Sequence, residues 1–104
     1  MRSLMRFAFT AGCLVAGING AASQSGLALV QEHCSMCHAI GSSDKSPHAN
    51  APPLNRVGEF YNLDQFAEML QAGRLLAPHS DMPAFKFTRS TAIAITNYLR
   101  SIQK

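Results

Sequence analysis

An all-α fold is the class this sequence predicts, and three observations predict it. Ala92, Ile95, Leu99 and Ile102 recur at i, i+3, i+7 and i+10, the spacing of one buried helical stripe. Asn62, Gln65 and Gly73 bracket a second apolar segment with a cap, a capping-box partner and a stop. Nothing alternates convincingly enough for a strand, and only residues 84–87 have room to be briefly extended.

The chain has 104 residues, and its first two dozen read differently from the rest. Arg2 and Arg6 precede an apolar run over residues 7–18, and the small-residue segment Asn19-Gly20-Ala21-Ala22-Ser23 follows. A basic start, a short apolar run and a small-residue end describe a secretory signal peptide. The run falls short of the ~20 residues that a spanning helix needs. The expected organisation is a signal peptide over residues 1–23, cut near Ala22 or Ser23, and one domain over 24–104. An uncleaved anchor is the alternative, and only that alternative brings the protein to a membrane. Lipid attachment at Cys13 is disfavoured, because Thr10-Ala11-Gly12 is a poor lipobox.

Removing residues 1–23 takes Arg2 and Arg6 from nine basic residues, leaving seven against six acids. The remaining domain is nearly neutral. It has no Lys or Arg run, which excludes a polybasic nucleic-acid tail, and no nucleic-acid partner is expected. The full chain, with 47% hydrophobic residues and no low-complexity tract, is not a disordered one. Cys13 leaves with the leader, so Cys34 and Cys37 remain. A domain of this size buries little more than ~60% of its unfolded surface. Scaffolds this small usually need a staple, and the two cysteines are the candidates for one.

The first helix of the domain is expected to start at Gly26 behind a Ser25 cap and to run into the cysteines. Gly26, Val30 and Cys34 lie four apart on its inner face. Glycine weakens a helix, so a close helix–helix contact is the reason expected for Gly26.

Cys34-Ser35-Met36-Cys37-His38 then reads C-x-x-C-H, the attachment sequence of c-type haem. Two thiols three positions apart fit one helical turn, so both reach the vinyl groups of one haem and each forms a thioether. His38, the next residue, is directed at the iron from the proximal face. Three other readings compete. A thioredoxin-like pair needs a βαβ pattern. A zinc site needs four ligands, and His33, Cys34, Cys37 and His38 are too crowded on one turn to supply them. A disulfide between Cys34 and Cys37 would close a tiny loop and stabilise little.

Residues 41–53 form the one clear loop, rich in Ser, Pro and Asn, and such a segment wraps something. The helix after Asn62 offers Leu63, Phe66, Ala67, Met69 and Leu70 as its apolar face. Beyond its Gly73 stop, Met82 precedes Pro83, which biases it towards an extended conformation on a turn. Its thioether can therefore point inward as a sixth, distal ligand to iron. His79 is the rival; His48 reads as a solvated loop residue and Met69 as core. An open or water-ligated iron is the remaining alternative. The last helix begins near Thr88 or Ser90 and ends near Ile102, with Tyr98 bordering its stripe.

Taken together, residues 25–103 resemble a class I cytochrome c, a small bacterial periplasmic protein with one haem. Gly26, Val30 and Cys34 match the family's small residue, bulky residue and first cysteine. Ile95 and Tyr98 match the C-terminal pair that crosses this first helix, and Met82-Pro83-Ala84-Phe85 matches the axial methionine segment. Pro52 and Leu54 match the proline turn. The resemblance implies crossed N- and C-terminal helices, with a further helix and loops around one covalent haem c. It also implies that the Pro52 carbonyl takes the second ring proton of His38 and orients that ligand. The family's lysine-rich rim is sparse here, with only Lys45, Lys86 and Arg89 as candidates. Arg56 either pairs with a haem propionate or faces solvent.

The expected function is one-electron transfer in the periplasm, because iron held by His38 and Met82 is closed to substrate. Such ligation raises the reduction potential, as does a wall for which Leu54, Phe66, Leu70, Phe85 and Phe87 are the candidates. The partners expected are redox proteins, a donor and an acceptor. The alternative is a haem subunit of a periplasmic dehydrogenase or oxidase complex, so the chain is expected as a monomer or as part of such a complex. A third reading, a ligand-binding or peroxidatic haem protein, requires that Met82 leave the iron. No acid–base pair or nucleophile constellation points to an enzyme in its own right.

Overall fold

The computed structural model describes residues 24–73 and 81–104. Its elements are α1 (Gly26–His33), a 3₁₀ segment (Leu54–Glu59), α2 (Leu63–Ala72) and α3 (Arg89–Ile102). No strand occurs among the described residues, so the all-α expectation is met. The expected leader, Cys13 and His79 lie outside the described residues.

Ser25 caps α1, its hydroxyl accepting from the Ala28 amide at 3.1 Å. An eight-residue helix is marginal alone, so α1 depends on burying Leu29 and Val30. It packs against α3, and Gly26 sets the distance. A Cβ there would meet the Ala94 carbonyl oxygen and would lie 2.8 Å from Tyr98 Cβ. The close contact expected at Gly26 is therefore present, on backbone that cannot swing aside.

α3 is the element on which the others rest, since it packs on α1, α2 and the 3₁₀ segment. Thr88 caps it, accepting from the Thr91 amide at 3.3 Å. Ala92, Ile95 and Leu99 are buried and Ile102 is half-buried, as the stripe predicts. Thr96 is buried as well, which an apolar stripe does not anticipate. Its hydroxyl donates to the Ala92 carbonyl at 2.8 Å and so needs no other partner. The Tyr98 hydroxyl donates to the Ile40 carbonyl at 2.6 Å and ties α3 to the segment behind the cysteines.

In α2 the Asn62 side chain accepts from the Asp64 amide at 2.8 Å. The expected capping box is not formed, because this bond uses the earlier amide and Gln65 stays exposed. Gly73 ends the helix at φ 72°, the left-handed conformation of a glycine stop. Phe66 and Leu70 are buried, and Leu63 and Ala67 pack against the core. Met69 is only half-buried and lies outside that cluster, which corrects its reading as core. At ~100° per residue it sits roughly 110° from the centre of the face that Leu63, Phe66, Ala67 and Leu70 share.

The 3₁₀ segment was not anticipated, since six residues at three per turn leave no periodic signature. The C-terminus clamps it. Gln103 Nε2 donates to the Leu54 carbonyl at 2.8 Å, its Oε1 accepts from the Gly58 amide at 2.8 Å, and the Lys104 amide donates to the Asn55 carbonyl at 2.9 Å. Asn55 is fully buried, with Nδ2 at 3.0–3.3 Å from the Gly41 and Ser43 carbonyls and Asp44 Oδ1. Lys104 Nζ meets the same Asp44 oxygen at 2.9 Å.

Two predictions follow from this packing. Gly26→Ala forces α1 and α3 apart and should lower unfolding stability by about 1–3 kcal/mol, as overpacking does; denaturant titration measures it. Hydrogen bonds from Lys104 and Asn55 hold the Asp44 carboxyl below its ordinary value of 3.8. That stabilisation is complete above the unfolded pKa and is lost as pH falls through the folded one. Lys104→Ala should raise the Asp44 titration midpoint seen by NMR, and an unmoved midpoint would show the contact to be idle.

Candidate haem site

α1 ends at His33, and Cys34 has already left helical geometry at φ −120°. The cysteine motif continues as one tight turn: the Cys37 and His38 amides donate to the Cys34 carbonyl at 3.2 and 2.9 Å. This turn presents Cys34, Cys37 and His38 to a single cleft. Both cysteines are free thiols. Burial pushes the Cys34 thiol up to about 11, so it stays protonated and uncharged at neutral pH.

The loop after the turn folds back over it. The His48 amide donates to the Cys37 carbonyl at 3.0 Å, and the Leu54 amide to the Ala39 carbonyl at 2.9 Å. His38 Nδ1 stands 2.7 Å from the Pro52 carbonyl oxygen. A carbonyl only accepts, so Nδ1 carries the proton and Nε2 keeps its lone pair. Met82 comes to the same cleft from the other end of the chain.

The cleft has two lobes that share Cys34, His38, Met82 and Phe85. The inner lobe has about 640 Å³ of free space and the outer about 740 Å³, each counted to its open mouth. Leu54, Phe66, Leu70, Phe85 and Phe87, the wall expected from sequence, all line the inner lobe. Val57, Tyr61, Ile95 and Leu99 complete it and were missed. Ile95 and Leu99 belong to the α3 stripe, but a stripe does not say which of its members face a cavity. His33 packs edge-on against Phe85 and Phe87, with ring centroids 5.8 and 5.0 Å away.

His48 corrects its reading as a solvated loop residue. It is half-buried and lines the outer lobe. Its Nδ1 accepts from the Asn50 amide at 3.1 Å, and its Nε2 lies 3.4 Å from Asp81 Oδ2, beside Met82. Sequence separation hides this contact. Arg56 is exposed and lines neither lobe.

The donors suit a haem that is held covalently. The cleft supplies two free thiols, an imidazole with one nitrogen committed to a carbonyl, a thioether and an apolar wall. The competing readings lose support among the described residues. No group of three or more His, Cys, Asp or Glu side chains is placed to hold a metal ion by itself, which leaves zinc without ligands. No strand is present for a thioredoxin-like unit.

A family model described as Cytochrome c matches residues 23–103. The chain belongs to the cytochrome c family. Its cofactor is accordingly haem c, covalently bound and containing iron, and its chemistry is haem-based electron transfer. No curated protein and no solved structure matches the chain at a significant level. In this cytochrome, the family match covers every element from α1 to α3. None of the described helices is long and apolar enough to cross a membrane.

Proposed function

We propose that this cytochrome is a periplasmic one-electron carrier. In it Cys34 and Cys37 hold the haem through thioethers, and His38 and Met82 are the axial ligands. The observation that carries this reading is the 2.7 Å contact between His38 Nδ1 and the Pro52 carbonyl, made in a cleft that Met82 also lines. When bound, haem c supplies a couple that takes up and releases one electron. The chain's own residues decide how that couple behaves.

His38 donates through Nδ1 to Pro52, which fixes its tautomer and leaves Nε2 to ligate. Met82, which lines the same cleft, would supply its thioether as the second protein ligand to the iron and would leave no free position for a substrate. A thioether raises the potential relative to harder ligands. The apolar wall acts in the same direction, because a low dielectric disfavours the oxidation state with the extra charge. The bond from His38 Nδ1 to Pro52 would also keep that ligand in place when an electron arrives.

The leader expected over residues 1–23 would deliver the chain to the periplasm, the compartment in which haem c is attached in bacteria. The test is an absorption spectrum of protein co-expressed with a haem-attachment system. Haem should survive denaturation, and the oxidised form should show a methionine–iron charge-transfer band. Covalent haem without that band would overturn Met82 as ligand.

Met82→Ala should keep the haem attached and bind imidazole readily, with the potential lower by on the order of 0.1 V. A variant indistinguishable from wild type in spectrum and potential would assign the sixth ligand elsewhere. Cys37→Ser should leave one thioether at most, or abolish maturation. Mass spectrometry of the denatured chain distinguishes one bond from two.

A further inference from the structure

His38 and His48 both line the outer lobe, and both have Nδ1 committed to the backbone, with opposite consequences. A carbonyl faces His38 Nδ1, so that ring donates there and keeps a lone pair at Nε2. An amide faces His48 Nδ1, since Asn50 donates to it at 3.1 Å. That nitrogen uses its lone pair on the amide, which puts the proton of the neutral ring on Nε2. The first tautomer suits a ligand to iron. The second has only a donor to offer, and Asp81 Oδ2 lies 3.4 Å from it.

The backbone of His48 is fixed on the cysteine turn. Its amide donates to the Cys37 carbonyl at 3.0 Å, and its carbonyl accepts from the Ala51 amide at 3.1 Å. Asp81 belongs instead to segment 81–87, which brings Met82 to the cleft. The far end of that segment is held by the Phe87 amide, which donates to the Leu70 carbonyl at 3.0 Å. The His33 ring holds it too, edge-on against Phe85 and Phe87. Met82 lies five residues from Phe87 but one from Asp81. Pro83, which follows it, has no amide hydrogen with which to bond.

We propose that His48 is a positioning residue for Met82. Through Asp81 it ties the segment that carries the sixth ligand to the turn that carries the cysteines and His38. The proposal rests on the reading of Met82 as a ligand to iron. The tie is light: 3.4 Å is long for an N–H···O bond, and the Asp81 side chain is 61% exposed. Its effect on overall stability is accordingly small. Its effect on Met82 is direct, because the held carboxylate belongs to the neighbouring residue. Without the tie, Met82 leaves the iron more often and an external ligand competes better. A contact of this class shifts such an equilibrium by about two- to fivefold.

Imidazole is the probe, titrated into the oxidised holoprotein and followed by loss of the methionine–iron charge-transfer band. His48→Asn separates the two roles of the ring. Its side-chain oxygen can still accept from the amide two residues on, as in an Asx turn, but its amide nitrogen ends one atom short of the Nε2 position. This variant should bind imidazole about two- to fivefold more tightly than wild type. Stopped-flow mixing at saturating imidazole should show Met82 leaving the iron faster. His48→Gln restores a donor at the Nε2 distance and should return the affinity towards wild type. Asp81→Ala should match His48→Asn, and the double variant should bind imidazole no more tightly than either, because both changes remove one contact.

An imidazole affinity unchanged in His48→Asn would overturn the proposal. So would effects of His48→Asn and Asp81→Ala that multiply in the double variant, or a His48→Gln affinity equal to that of His48→Asn. Failure of the ligand reading shows separately. The oxidised wild type then lacks the methionine–iron band before any imidazole is added, and the proposal falls with it.

Discussion

His38 Nδ1 and the Pro52 carbonyl oxygen, 2.7 Å apart, join the cysteine turn to the loop that wraps it. The contact fixes the imidazole plane and its tautomer together, because the carbonyl can only accept. It is not isolated. The His48 amide to Cys37 and the Leu54 amide to Ala39 bond the same two segments on either side of it. A loop of Ser, Pro and Asn residues has little propensity of its own, and it is held here by bonds to the backbone of the turn it covers. The direction in which His38 points is therefore decided by a residue fourteen positions further on as much as by the motif.

That lacing needs a fixed wall behind it, and α3 supplies one. Tyr98 reaches Ile40 just after the motif, Ile95 and Leu99 line the cleft, and Gln103 and Lys104 close on the 3₁₀ segment. One helix thus touches both ends of the wrapping loop. Gly26 lets α1 approach it closely enough for the cysteine turn to stand over Ile95 and Leu99. The buried polar groups follow the same logic. Asn55 Nδ2 secures Gly41, Ser43 and Asp44, while its Oδ1 is buried without a hydrogen-bond partner. An unmet acceptor of this kind costs ~1–3 kcal/mol. A small domain carries that cost where one side chain holds three points of a loop with no regular structure.

Much of this was legible in the sequence, for identifiable reasons. Caps at Ser25, Asn62 and Thr88 and the stop at Gly73 are local signals, and the helices obey them. The five wall residues chosen from sequence all line the cleft, because large apolar residues in a short chain have few other places to go. What escaped depends on pairs far apart in sequence or on very short periods. His48 gains its place from Asp81, thirty-three residues on. Gln103 looks like a frayed terminus until Leu54 and Gly58 are beside it. Thr96 interrupts an apolar stripe and is harmless only because its hydroxyl bonds one turn back. Met69 was misplaced by counting i+3 neighbours instead of finding the centre of the face.

The two halves of the cleft make different demands on the side chains that line it. The inner lobe is a packed apolar wall that excludes water and favours the less charged oxidation state. Rigidity helps there, since atoms that move with the electron raise the barrier to its transfer. The outer lobe is lined instead by polar and exposed side chains, His33, His48, Asp81 and Met36 among them. Two of its imidazoles stand beside an acid, His33 3.5 Å from Glu32 and His48 3.4 Å from Asp81.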